Sequence, residues 1–84
     1  MFEIFDNNFK NALLEIAQQY FGVERPQYVH FDYGPHHAKV FRCICIFNQR
    51  MTASLGRTKI EAEQCASQLM LDKLQGLYFK KVDT

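Results

Sequence analysis

The chain has 84 residues, 48 % of them apolar and 14 % aromatic, which bounds it to one globular domain and excludes a disordered segment. No apolar run nears the ~18 residues of a membrane span and no basic-then-apolar leader opens the chain, so the reading is a soluble intracellular protein of cytoplasm or nucleus. Ten basic residues against nine acidic ones leave a net charge of +1, which excludes the broad basic field of many nucleic-acid binders and makes any basic patch local.

Residues 1–7 form an aromatic lead with Phe2 and Phe5, either an extra turn of helix or a tail. From Asn8 to Tyr20 the spacing predicts a helix. Phe9, Leu13, Ile16 and Tyr20 recur at three and four with Ala12 and Ala17 beside them, and Asn8, Asn11, Glu15 and Gln18 form the polar face. Gly22 supplies a stop and Pro26 forbids continuation. Gln27 to Tyr33 reads as a first strand, closed by Gly34-Pro35.

Lys39 to Phe47 reads as a second strand, with Phe41, Cys43, Cys45 and Phe47 on one face and Val40, Arg42, Ile44 and Ile46 on the other. Asn48 to Arg50 is a polar turn, and Met51 to Leu55 pairs back as a third strand. Thr58 and Glu61 form a capping box that opens a last helix. Its expected stripe is Ala62, Cys65, Ala66, Leu69, Met70 and Leu74, with Gly76 as its stop. The tail from Leu77 to Lys81 is too short to be an element of its own, though its apolar part could pack back on the domain. The order α-β-β-β-α implies an α+β, two-layer sandwich, with a three-stranded antiparallel sheet and both helices on one face. The domain spans residues 8–75, with 1–7 and 76–84 as flanking extensions.

Cys43, Cys45 and Cys65 lack Cys-x-x-Cys spacing and read as small buried hydrophobes in a reducing compartment. His30, His36 and Asp32 join them in no nucleophile–base or metal pattern. The chain is therefore expected to be neither an enzyme nor a holder of a cofactor or metal.

Two stretches carry a resemblance: Gly34-Pro35-His36-His37-Ala38-Lys39-Val40-Phe41, and Gly56-Arg57-Thr58-Lys59-Ile60-Glu61-Ala62-Glu63-Gln64-Cys65-Ala66. They resemble the signature of the double-stranded-RNA-binding domain, and the likeness extends from about Asn8 to Leu74. The resemblance implies shape-based reading of double-stranded RNA over ~16 base pairs, because the duplex hides its bases in a deep major groove. It implies three contact points. Asn11, Glu15 and Gln18 on the first helix would meet one minor groove, and His37 on the Gly-Pro-x-His turn would meet the next. Arg57 and Lys59 at the start of the last helix would hold the phosphates between, with Lys39 as an auxiliary. The family's Lys-Lys-x-Ala-Lys reads here Lys59-Ile60-Glu61-Ala62-Glu63. Glu63 is similar to the version in ribonuclease III tails, whereas Ile60 is a departure. Two missing cations imply weak or context-dependent binding. The expected parent is a longer RNA-processing or RNA-silencing protein.

A different reading uses the sheet. Val40, Ile44 and Ile46 would face away from the helices, where a water-facing sheet should be polar. Some members of this family lose RNA contacts and instead form homodimers or dock partner proteins, so these three residues are the candidate protein interface. Alternatively, the tail from Leu74 to Phe79 folds over part of the patch.

Overall fold

The computed structural model describes residues 8–22 and 24–78. Its elements are α1 (Phe9–Tyr20), β1 (Gln27–Tyr33), a 3-10 turn (His36–Ala38), β2 (Val40–Phe47), β3 (Arg50–Gly56) and α2 (Lys59–Tyr78). The three strands form one antiparallel sheet in the order β1-β2-β3, the expected α-β-β-β-α architecture. Asn48 and Gln49, at φ 54° and 62°, make the two-residue left-handed turn that joins β2 to β3.

Period-two alternation on β2 sets the layers. Cys43, Cys45 and Phe47 are buried on the inner face, with Phe41 packed beside them. Against them lie Ala62, Ala66, Met70, Leu71 and Leu74 of α2, and Leu13, Ile16 and Ala17 of α1 complete the core. α2 packs on β2 and β3, and α1 packs chiefly on α2. The small Ala62 and Ala66 let α2 lie close to the sheet, where Thr52 Oγ1 donates to the Ala66 carbonyl at 2.8 Å.

Three expectations need correction. Tyr20 is 54 % exposed instead of extending the stripe of α1. The end of that helix turns to the sheet through Phe21, whose ring meets Phe47 edge-on at 5.0 Å. On α2, Leu69 is 45 % exposed and Cys65 only half-buried, while Ser67 and Leu71 are buried. The buried face is therefore rotated toward Ser67, whose hydroxyl shares a 2.8 Å hydrogen bond with Tyr28 on β1. Gly76 does not end α2, which continues to Tyr78. The aromatic lead and the tail from Phe79 onward lie outside the described residues.

The outer face of the sheet is mainly apolar in three strands, beyond the three residues expected from β2. Val29, Phe31 and Tyr33 contribute from β1, Val40, Ile44 and Ile46 from β2, and Met51, Ala53 and Leu55 from β3. Val40 is 39 % exposed, whereas Ile44 and Ile46 are half-buried by their neighbours.

Candidate nucleic-acid interface

Gly56 brings β3 hard against the start of α2, since a Cβ there would lie 2.6 Å from the backbone nitrogen of Ala62. The next two residues turn the chain into the helix. Thr58 Oγ1 accepts from the Glu61 N–H at 3.0 Å, and the Glu61 carboxylate accepts from the backbone N–H of Arg57, also at 3.0 Å. The capping box is thus displaced by one residue at its return bond. Arg57 and Lys59 remain exposed beside the helix's first N–H groups, a combination that favours anions. Ile60 is also exposed, at 69 %.

On one flank stands the turn between β1 and β2. Gly34 has φ +92°, and a Cβ on it would meet the Ala38 carbonyl oxygen at 2.8 Å, so only glycine closes this turn. The Ala38 N–H donates to the Pro35 carbonyl at 2.9 Å, which shapes the bend that exposes His36 and His37. His37, Lys39 and Arg57 line a common hollow of about 660 Å³ with Val40 and Phe41. Lys39 Nζ sits 3.0 Å from Asp32 Oδ2, so its charge is answered within the chain. The hydrogen bond from Lys39, and then its charge, hold the Asp32 carboxyl below the usual carboxylate range, with Lys59 adding to the effect.

On the other flank stands α1. Asn11, Glu15 and Gln18 are all exposed along it. Asn8 caps the helix by accepting from the Asn11 N–H at 3.2 Å. A second cap comes from α2: Gln64 Oε1 accepts from the N–H groups of Phe9 and Lys10 at 2.6 and 3.1 Å, and Gln64 Nε2 donates to Asn8 Oδ1. Beside it, Glu63 is paired with Lys10 at 2.6 Å and with His30 of β1. Burial pushes the Glu63 carboxyl up, but hydrogen bonds from Lys10 and His30 outweigh it and hold the group below its ordinary value. Lys10 Nζ also lies 5.0 Å from the centre of the Tyr28 ring.

Asn11 and Ile60 line a hollow of about 480 Å³ between α1, β1 and α2, together with Leu14, Arg25 and Glu63. The start of α2 is therefore bordered by Asn11 across one hollow and by His37 and Lys39 across another. Glu15 and Gln18 lie further along α1 and line neither of them. The sequence reading missed Arg25, an exposed cation at the first hollow, because a single basic residue in a connector gives no periodic signal. It also missed Lys10 and His30 as the partners of Glu63.

Burial pushes the thiols of Cys43 and Cys45 up to about 11, which suits inert packing groups. Among the described residues no group of His, Cys, Asp and Glu could hold a metal ion. No helix among them is long and apolar enough to cross a membrane.

Comparison with known proteins gives a consistent answer. Residues 9–74 match the double-stranded RNA binding motif. A Ribonuclease 3 of Wolinella succinogenes is 36 % identical over 67 residues, covering 77 % of this chain and only 28 % of that protein. The solution structure of the first such domain of DRB4 is similar at a TM-score of 0.74 and 30 % identity, covering 83 % of this chain and 99 % of that one. The first such domain of HYL1 is similar at 0.67 and 29 %, covering 77 % and 93 %. The match takes in both helix starts, the Gly-Pro-x-His turn and all three strands, and the chain belongs to the double-stranded RNA binding motif family, whose fold binds and does not catalyse.

Proposed function

We propose that this chain reads the shape of double-stranded RNA through a row of three polar surfaces. Asn11, Glu15 and Gln18 enter one minor groove and His37 the next. Arg57 and Lys59 hold the intervening phosphates, and Lys39 is an auxiliary contact. The observation that supports this reading is the flanking of the exposed Arg57–Lys59 start by Asn11 on one side and His37 on the other. Such a row needs no base readout, so sequence preference should be low. The binding unit spans residues 8–75 and serves a longer, intracellular RNA-processing or RNA-silencing protein. This unit contributes no catalysis, and any chemistry belongs to other segments of the parent.

Few cations reach the phosphates. Lys39 is shared with Asp32, and Ile60 and Glu63 stand where the family pattern has lysines. A 20-base-pair RNA duplex should therefore bind with a log–log salt slope of only about −2 to −3, with a matching DNA duplex bound far less well. Lys59→Ala should weaken binding about tenfold at 0.1 M salt and reduce the slope by about 1. An unchanged affinity and slope for Lys59→Ala would remove the phosphate clamp from this reading.

A further inference from the structure

The helices cover only one side of the sheet. On the other side, Phe31, Arg42 and Leu55 form one rung, and Val29, Ile44 and Ala53 form the next. Phe31 and Leu55 are 45 % and 58 % exposed, and Val29 is 40 % exposed. Three strands of seven to eight residues give a face roughly 14 Å wide and 24 Å long, on the order of 350 Å². An isolated apolar side chain on a surface is ordinary, whereas a contiguous face of this size equals the largest patch of a typical monomer, which is often functional.

Two properties of the face select its occupant. The first is shape: the face is narrow and long, about 14 Å by 24 Å. A single helix is about 10 Å across, and one of ~16 residues is 24 Å long, so it fits the face in both dimensions. The second is charge. Arg42 is the single cation in the outer rows, it has no ion-pair partner among the described residues, and those rows contain no carboxylate. The one acidic strand residue, Asp32, is engaged by Lys39. A two-fold contact between copies would place two guanidiniums in one apolar interface with no carboxylate for either, which opposes self-association through this face.

We propose that the outer face of the sheet docks an amphipathic helix of a partner protein, about four turns long, whose apolar stripe carries one carboxylate opposite Arg42. The helix packs on the rungs of Phe31 and Val29, and the guanidinium fork receives the carboxylate in two parallel hydrogen bonds. The site lies on the side of the sheet away from α1 and α2. An occupied sheet therefore leaves Asn11 and Lys59 open.

The test uses the full chain and two 16-residue helical peptides with leucines at helical spacing. One peptide has Glu within the stripe and its twin has Gln there. Fluorescence anisotropy should show saturable binding of the Glu peptide, with the twin about tenfold weaker, as expected for loss of one charge-assisted contact. Amide shifts should map to Val29, Phe31, Arg42, Ile44 and Leu55. Arg42→Gln should erase the difference between the two peptides, and Ile44→Lys should abolish binding of both. Both variants should bind the RNA duplex as the parent chain does. The proposal is overturned by failure of both peptides to bind, by equal affinity of the two, or by shifts confined to α1 and the start of α2. A doubled mass in light scattering that Ile44→Lys returns to a monomer would also overturn it and assign the face to a second copy.

Discussion

Ile60 and Glu63 stand one turn apart at the start of α2, and both replace a lysine of the family pattern. Written as letters, they are the same kind of loss. In three dimensions they are opposites. Ile60 points to solvent, 69 % exposed, and touches on nothing the core requires. Glu63 points inward, its side chain only 14 % exposed, and ties Lys10 of α1 and His30 of β1 to α2. The outward flank of this turn determines how much positive charge meets a phosphate. The inward flank determines whether α1 and α2 keep their spacing. A position can thus leave a binding pattern because it has taken on a structural role, and only the direction of the side chain distinguishes that from simple decay.

The strongest way to break this comparison is Glu63→Lys. If Glu63 were a lost contact, the added cation should improve RNA binding. Here it would face Lys10 and His30, leaving two ammonium groups together in a partly buried site with no carboxylate between them. Destabilisation by about 3 kcal/mol is expected, with RNA binding weakened alongside it. Urea unfolding of both proteins, followed by the RNA titration, decides the matter. Glu63→Gln keeps the shape and should cost about 1–2 kcal/mol at neutral pH. Its dependence on pH has a definite sign. The folded carboxyl lies below its free value of 4.5, so its stabilisation is fully present above that value. It is lost as pH falls through the lowered folded value. The gap between the parent chain and Glu63→Gln should therefore close only in acid.

Ile60→Lys sharpens the other side. The side chain is exposed on a helix, so stability should change by no more than about 0.5 kcal/mol. One further phosphate contact should raise RNA affinity about five- to tenfold at 0.1 M salt and steepen the salt slope by about 1. A loss of affinity would mean that the apolar wall shared with Leu14 is itself a contact. Titration at 0.05 and 0.2 M salt separates these outcomes.

The same contrast explains what could be read from the sequence. β1 was legible to its end residues because Gly34-Pro35 closes it, and the buried side of β2 because Cys43, Cys45 and Phe47 alternate without a break. The capping residues Thr58 and Glu61 were legible as a local pattern. Tyr20 and Leu69 were misplaced because a helical wheel fixes angular position and not where the partner surface ends. Ser67 was passed over because its burial rests on Tyr28, 39 residues away in the chain. Glu63 was opaque for the same reason: Lys10 and His30 lie 53 and 33 residues from it. Arg25 came to line one hollow with Asn11 only once the chain had folded back. Local chemistry was readable, whereas charge pairing across elements was not.

Asp32 offers the finest version of the comparison, because it is a negative charge on the outward flank. It holds Lys39 at 3.0 Å beside the hollow shared by His37 and Arg57, and Lys59 acts on its carboxyl as well. The pair is half-exposed, so its contribution to stability is small, as for most surface ion pairs. Its effect on a polyanion should be larger than its effect on folding. Asp32→Asn removes one charge that repels phosphate and releases Lys39 to meet one, so RNA affinity should rise about two- to threefold at 0.05 M salt. At 0.2 M salt screening over less than about 10 Å should shrink that gain, while the urea midpoint stays close to that of the parent. Should affinity drop instead, the ion pair would be fixing the Gly34–Ala38 turn, and His37 would depend on Asp32 for its reach into the groove.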